Sequence, residues 1–308
     1  MVTPPQPHQP FPPVEWVPHW PVSGSAAGRI VPAIVAAGLA VIGVAWAVSV
    51  ADTATPVTVI GSVAAVVLVA GAVVAILSMS GLLDTWLPGV RHTVDDVHGG
   101  GVELRASRIT LPLLFILGGG AGYGIAAWLD WKTGSGSDLL PLSKNNSAGA
   151  TFALVIGVLL AVFFLIFLIA YFTVTVELYP DGVRRIMRFP LLGRSKQQFV
   201  AWDEMAAIAP DKVQGAAQTG GYAVIGMQLK DTREPVQHKL WDTTERVSVP
   251  VYLMRCESNT LLALLRYLLS HPQQRVLLAQ PDAPSWFAPP PRSTQIQLSH
   301  QATATGAT

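Results

Sequence analysis

The chain has 308 residues, of which 51% are hydrophobic and 13% charged, and its formal net charge is +1. Soluble globular chains carry about 25% charged residues, so this composition argues against a soluble fold, and a near-neutral chain with no basic, aromatic-interleaved patch argues against nucleic-acid binding. The lone cysteine, Cys256, rules out an intramolecular disulfide and a cysteine-based metal site.

The first 28 residues hold Pro4, Pro5, Pro7, Pro10, Pro12, Pro13, Pro18 and Pro21. Prolines remove backbone donors and favour extended polyproline II, so residues 1–28 are expected to form a disordered arm. Pro7-His8-Gln9-Pro10 fits a PxxP pattern, and Trp16 and Trp20 suit a membrane interface. The opening lacks the basic n-region and short apolar core of a cleavable signal peptide.

The stretches 30–50, 57–79, 109–129 and 151–176 contain no Asp, Glu, Lys, Arg or His. Each suffices for a helix across the ~30 Å hydrocarbon core, which needs about 20 residues. Four such helices in a soluble fold would leave little polar surface, so four transmembrane spans are expected within 29–174, at 30–50, 57–79, 109–129 and 151–174. The six-residue link 51–56 makes the first two an antiparallel pair, and 81–108 reads as a solvated juxtamembrane loop. Trp128-Leu129-Asp130-Trp131 marks an interface, Gly134-Ser135-Gly136-Ser137 a flexible connection, and the Phe-rich fourth span is the most lipid-facing. Arg29, Arg91, Arg105, Arg108 and the later Arg184, Arg185, Arg188, Arg194 and Lys196 fall on one side, against Lys132 and Lys144 on the other. The positive-inside rule then places both termini in the cytoplasm, in a multi-pass protein of the inner (plasma) membrane.

After the fourth span the hydrophobic period changes to two. Thr173–Tyr179, Val183–Phe189 and Ser195–Trp202 alternate, separated by Pro180-Asp181-Gly182 and Pro190-Leu191-Leu192-Gly193, and read as antiparallel strands. Further strands are expected at Tyr222–Leu229, Val236–Trp241 and Val247–Leu253, the last at an edge because Pro250 cannot donate to a ladder. Asn259 or Thr260 caps a closing helix over Leu261–Ser270 that Pro272 stops. Cys256 reads as a small packed side chain near a strand end. The result is an α+β domain over 175–287, a small barrel or sandwich plugged by a helix, followed by a disordered tail over 288–308.

Val176-Glu177-Leu178-Tyr179-Pro180-Asp181-Gly182-Val183 and, some twenty residues on, Phe199-Val200-Ala201-Trp202-Asp203-Glu204-Met205 resemble bacterial pleckstrin-homology-like domains. Leu261–Leu269 with His271-Pro272 and Arg275 is similar to the closing helix of their membrane-anchored members. The resemblance covers about residues 175–280. It implies a pleckstrin-homology-like fold and a tendency to bind lipids or proteins, with no single activity.

No catalytic motif is present: G-x-S-x-G, H-E-x-x-H, Walker A and paired C-x-x-C are all missing. No enzyme activity, cofactor or metal is therefore expected. The run Gly118-Gly119-Gly120-Ala121-Gly122-Tyr123-Gly124 lies inside a span and fails the G-x-G-x-x-G spacing. Gly118 with Gly122, and Gly120 with Gly124, satisfy small-xxx-small, which lets helix backbones approach. Gly61 with Ala65, and Ala37 with Val41 beside Gly38, are candidate partner surfaces. Spans without ionisable residues argue against a proton relay or a charged-substrate carrier. His92, Asp95, Asp96 and His98 are ordinary loop residues, since no distant ligand completes a metal site. Arg184, Arg185, Arg188, Arg194 and Lys196 are the candidate functional group, as contacts to anionic headgroups or as a topological anchor alone. The phosphoinositide pattern of a Lys followed by Arg-x-Arg is not matched by Arg185-Ile186-Met187-Arg188. The role expected is scaffolding or regulation of membrane or envelope components. Its partners would be membrane lipids, anionic ones among them, and a membrane protein or a second copy. The alternative is a subunit of a complex transporting a lipid or small molecule.

Overall fold

The computed structural model describes residues 14, 16–20, 27–51, 55–79, 89–106, 110–134, 137–213, 222–234, 238 and 241–304. Four long helices lie in the first 170 residues: α1 (Ala27–Ala51), α2 (Pro56–Met79), α3 (Thr110–Thr133) and α4 (Ser147–Ala170). Three stretches, Pro56–Leu77, Pro112–Thr133 and Ser147–Ala170, are long and apolar enough to cross a membrane, and α1 contributes a shorter apolar stretch, Val31–Gly43. These helices make the chain a membrane-embedded protein. They pack as a row, α1 on α2, α2 on α3 and α3 on α4. At the end of the row α4 leaves Leu159, Phe163, Ile166 and Ile169 exposed, as a helix facing lipid does.

Strand β1 (Val90–Asp95) and strand β2 (Gly99–Leu104) form a hairpin inside the segment expected to be a solvated loop. Then come β3 (Thr173–Leu178), β4 (Gly182–Phe189) and β5 (Arg194–Ala201). Together they make one antiparallel sheet in the order β1-β2-β3-β4-β5. β2 pairs with β3, Leu104 opposite Val176, although α3 and α4 lie between them in the chain. Gly99-Gly100-Gly101 is the start of β2. Val102 and Leu104 are fully buried in the domain core. The loop reading and the domain start at 175 are thus corrected: the domain also takes residues 90–104 from between α2 and α3.

The second sheet holds β6 (Met205–Val213), β7 (Tyr222–Leu229) and β8 (Arg246–Val249). β8 lies at its edge, and after Pro250 the chain turns into a 3-10 segment, Val251–Leu253, instead of continuing as a strand. The strand expected at Val236–Trp241 falls mostly outside the described residues; Trp241 itself sits buried in a turn. Helix α5 (Ser258–Ser270) closes the domain with Leu261, Leu262, Leu264, Leu265 and Leu268 buried. Its cap is Glu257, whose carboxylate accepts from the amides of Asn259 and Thr260; neither expected cap residue serves. Asn259 is instead spent on the N-terminal arm, its Oδ1 accepting from the amides of His19 and Trp20 at 2.8 and 3.0 Å. The Trp16 indole donates to Glu257 at 2.9 Å, and Trp20 is 8% exposed within the core. So residues 16–20 of the expected disordered arm are docked on the domain, with Trp16 bonded to Glu257 and Trp20 in the core; residues 1–13 and Pro21 lie outside the described residues. The expected disordered tail contains α6 (Arg292–Ala304). Burial pushes the Cys256 thiol, beside Glu257, up to about 12, in keeping with a packed, unreactive side chain.

Candidate membrane-facing site

Alternation in β4 sends Arg184 and Arg188 to one face and Arg185 to the other. Arg185 enters the core, 2% exposed. Its guanidinium donates to Asp242 at 2.9 Å and to Gln198 at 2.6 Å, and lies over the Trp241 ring. Asp242 also accepts the Ser248 amide at 3.0 Å. Arg185 is therefore removed from the set that can meet headgroups. Asp242, its partner, carried no recognisable signal, because 57 residues separate the two.

Arg184 is likewise engaged. It donates to Glu177 at 2.6 Å, to Asp95 at 2.7 Å and to the Tyr179 hydroxyl at 2.7 Å. Asp95 belongs to the β1–β2 hairpin, and the Arg184 hydrogen bond, with that of the Val97 amide, holds its carboxyl down at about 2. His98, in the hairpin turn, stacks on Phe199 at 4.3 Å and bonds Asp181 at 2.6 Å. Across the sheet Glu103 stands opposite Glu177, a repulsive placement. Arg91 and Arg105 relieve it by pairing with Glu103, and Arg184 by pairing with Glu177. His92 reaches the Ala279 carbonyl at 3.1 Å. The charged residues of the hairpin thus fasten two chain segments together, and no metal-holding group of His, Cys, Asp or Glu occurs among the described residues.

Arg188, Arg194 and Lys196 remain exposed. Thr173, the first residue of β3, is in register with Arg188, which pairs with Ser195, and Phe189 pairs with Arg194. Because β4 runs antiparallel to β3, residues 189–194 project past Thr173 toward Ala170, the last residue of α4. The 3-10 turn Pro190–Leu192 packs against α4, and Phe189 meets Phe172 with ring centroids 6.0 Å apart. At the tip Leu191 and Leu192 are 55% and 51% exposed. The sequence marked this segment only as a turn. Two exposed leucines ringed by three cations, level with the end of an apolar helix, suit the boundary between headgroups and acyl chains.

Within α3, the tightest approaches to neighbouring helices fall at Gly119 and Gly124. A Cβ on Gly119 would lie 2.5 Å from the Leu68 nitrogen and 2.7 Å from the Ala64 oxygen of α2, and one on Gly124 2.5 Å from the Ala153 oxygen of α4. Gly122 faces Ala64, whereas Gly118 and Gly120 face the side chains of Phe164 and Leu160. The expected glycine pairs thus divide between two partner helices, and Gly119, which was not singled out, makes the closest contact to α2. Gly61 faces Leu139 and Ala126, and Gly38 faces open space. Asp130, at the α3 interface, is 7% exposed and accepts from Thr58 at 3.1 Å and Ser137 at 2.8 Å. Ser137 therefore belongs to a buried polar knot; Ser135 and Gly136 of the expected flexible connection lie outside the described residues.

Comparison with protein-family models, with curated proteins and with solved structures finds no match to this chain.

Proposed function

We propose that the protein is a non-enzymatic membrane-anchored adaptor. Its pleckstrin-homology-like domain lies against the cytoplasmic leaflet through the β4–β5 tip and scaffolds or regulates other membrane components. The observation that carries this reading is the register of β3, β4 and β5, which sets Leu191 and Leu192 beside the end of α4 with Arg188, Arg194 and Lys196 around them. Each exposed cation near an anionic surface contributes about 1 kcal/mol, enough for three of them to hold the domain in one orientation.

Two antiparallel sheets closed by α5 support the pleckstrin-homology-like reading. So does the meeting of its motif residues: the Trp202 indole donates to the Tyr179 carbonyl at 2.9 Å, and Arg275 lies over the Trp202 ring and 3.6 Å from Asp203. Four membrane crossings are supported by connectivity. Trp20 and β1–β2 share one core with α1 and α2 between them, and β2 pairs β3 with α3 and α4 between them. Each pair of helices then leaves and returns to the same side, which with the bias of Lys and Arg supports cytoplasmic termini in a plasma membrane.

The test uses the full chain in nanodiscs, in a Cys256→Ser background with an environment-sensitive dye on Leu192→Cys. Emission should shift to the blue when phosphatidylglycerol is added to phosphatidylcholine, and salt should reverse the shift, because exposed charges are screened over ~8 Å at physiological ionic strength. Replacing Arg188, Arg194 and Lys196 together by Gln should remove the dependence on anionic lipid. A dye signal indifferent to both lipid and mutation would leave the cations as a topological anchor. Impermeant labelling of Gln297→Cys but not Ser143→Cys in intact cells would overturn the topology.

A further inference from the structure

The opposite end of the helices holds a cleft of about 670 Å³ between α2, α3 and α4, within the roughly 300–1,000 Å³ of ligand pockets. It opens where α4 packs on α3 at the Gly124–Gly157 approach, with Leu68 of α2 as the facing wall. Its lining is almost wholly apolar, with Leu68, Phe152, Ala153, Ile156 and Leu160 along its length, whereas Lys144 and Asn146 stand at the mouth. Leu160 lies between three and four turns into α4, about 20 Å at 1.5 Å per residue. The cleft therefore runs from the α3–α4 connection to beyond the middle of a ~30 Å hydrocarbon core, the depth of one leaflet.

These dimensions and this chemistry select the occupant. Water in so apolar a cleft would lack polar partners, and leaving it empty forfeits dispersion contacts along both walls. At the mouth Lys144 is exposed and pairs with no described acid, whereas the Asn146 side chain is already committed to capping α4 by accepting the Gly149 amide at 2.8 Å. Lys144 is thus the cation available to a headgroup. We infer that the cleft holds one acyl chain of an anionic phospholipid from the leaflet beside the α3–α4 connection, with the headgroup phosphate against Lys144. This site lies at the other end of the helices from the β4–β5 tip and does not depend on the role proposed for it.

The experiment places the full chain in phosphatidylcholine vesicles with a trace of phosphatidylglycerol bearing a mid-chain photoreactive diazirine, and maps the cross-links. Labels should concentrate on Ala153, Ile156 and Leu160 over Val155 and Val162, which are exposed on the outside of α4. Unlabelled phosphatidylglycerol should displace them about fivefold better than phosphatidylcholine, the factor that one cation beside an anionic headgroup supplies, and also better than oleate, which has no phosphate to place against Lys144. Ala153→Leu should fill the cleft and remove those labels while sparing Val155 and Val162. Lys144→Gln should keep the labels and lose the preference for phosphatidylglycerol; being at the surface, it decides the matter even if Ala153→Leu fails to assemble. Uniform labelling around α4 would mean bulk lipid only, displacement by oleate as good as by phosphatidylglycerol would mean a fatty-acid site, and an unchanged preference in Lys144→Gln would exclude the headgroup contact. Each of these results overturns the inference.

Discussion

α3 meets its neighbours through Gly119 and Gly124, where side chains are absent, whereas β4 meets its neighbours through Arg184 and Arg185, among the longest and most polar side chains available. The solvent explains the contrast. Lipid tails are as apolar as leucine, so helices in a bilayer gain little from burying apolar surface and associate by close backbone packing. The domain faces water, which drives Val102, Leu104, Trp202 and the leucines of α5 together. That core can bring widely separated segments into one sheet, and its charged residues then fix which segments meet. Contacts in the helices are therefore intolerant of added bulk, and those in the domain are intolerant of an unmatched charge.

The sharpest way to break the contrast is to take the hairpin away. A fragment spanning 174–287 lacks β1 and β2, and with them the burial of Val102 and Leu104, worth about 1.5–3 kcal/mol each. It also bares the edge of β3 to other chains. It should be recovered as aggregate, while the same fragment with residues 89–106 joined ahead of it by a flexible linker should be a soluble monomer. Equal solubility of the two fragments would show that the hairpin is an ornament on an already complete domain.

Next in size is the buried ion pair. Arg185→Met strands the Asp242 carboxylate, and unpairing a buried charge costs about 3–5 kcal/mol. The full chain in mild detergent, followed by tryptophan fluorescence, should unfold at much lower denaturant. Adding Asp242→Leu should recover most of the loss, because an apolar pair of similar volume needs no desolvated charges. A double variant as weak as the single one would mean that Arg185 acts through packing and not through charge.

The helices give a smaller, steric effect. Gly119→Leu drives a side chain into the α2 backbone, and overpacking of this kind costs about 1–3 kcal/mol. Gly38→Leu, where nothing lies within 4 Å of the added Cβ, is the control. Thermal stability of the full chain in detergent should fall for the first and stay level for the second.

The smallest effect is titratable. The Asp95 carboxyl, held at about 2 against the ordinary 3.8, stabilises the hairpin fully above pH ~4 and loses that contribution as pH falls toward 2. Hydrogen-exchange protection of residues 90–104 should drop across that window. Asp95→Asn should show reduced protection at neutral pH already, with the acid-dependent step gone.

Where the sequence pattern answers to local physics, it was readable. Uncharged stretches of twenty or more residues marked the apolar helices, alternation marked β3, β4, β5 and β7, and the Asp-Gly and Leu-Gly turns fell where expected. Alternation likewise separated Arg185 from Arg184 and Arg188, because side chains along a strand point to opposite faces. The short β1–β2 hairpin is not legible in the sequence because three glycines and a mixture of charges read as a solvated connection, and its apolar content is little more than Val90, Val94, Val102 and Leu104.

The sequence by itself determined that this is a membrane-embedded chain with a separate β-rich domain, since solvent preference and backbone period are properties of each segment alone. Only the tertiary structure decided that residues 16–20, 90–104 and 173–287 build that domain together, that Arg185 is buried on Asp242, and that Gly119 and Gly124 serve different neighbours. Those outcomes depend on which distant segments share a core. Loop-closure entropy grows only slowly with the length of chain between partners, so the insertion of two helices between β2 and β3 leaves no mark on the residues that pair.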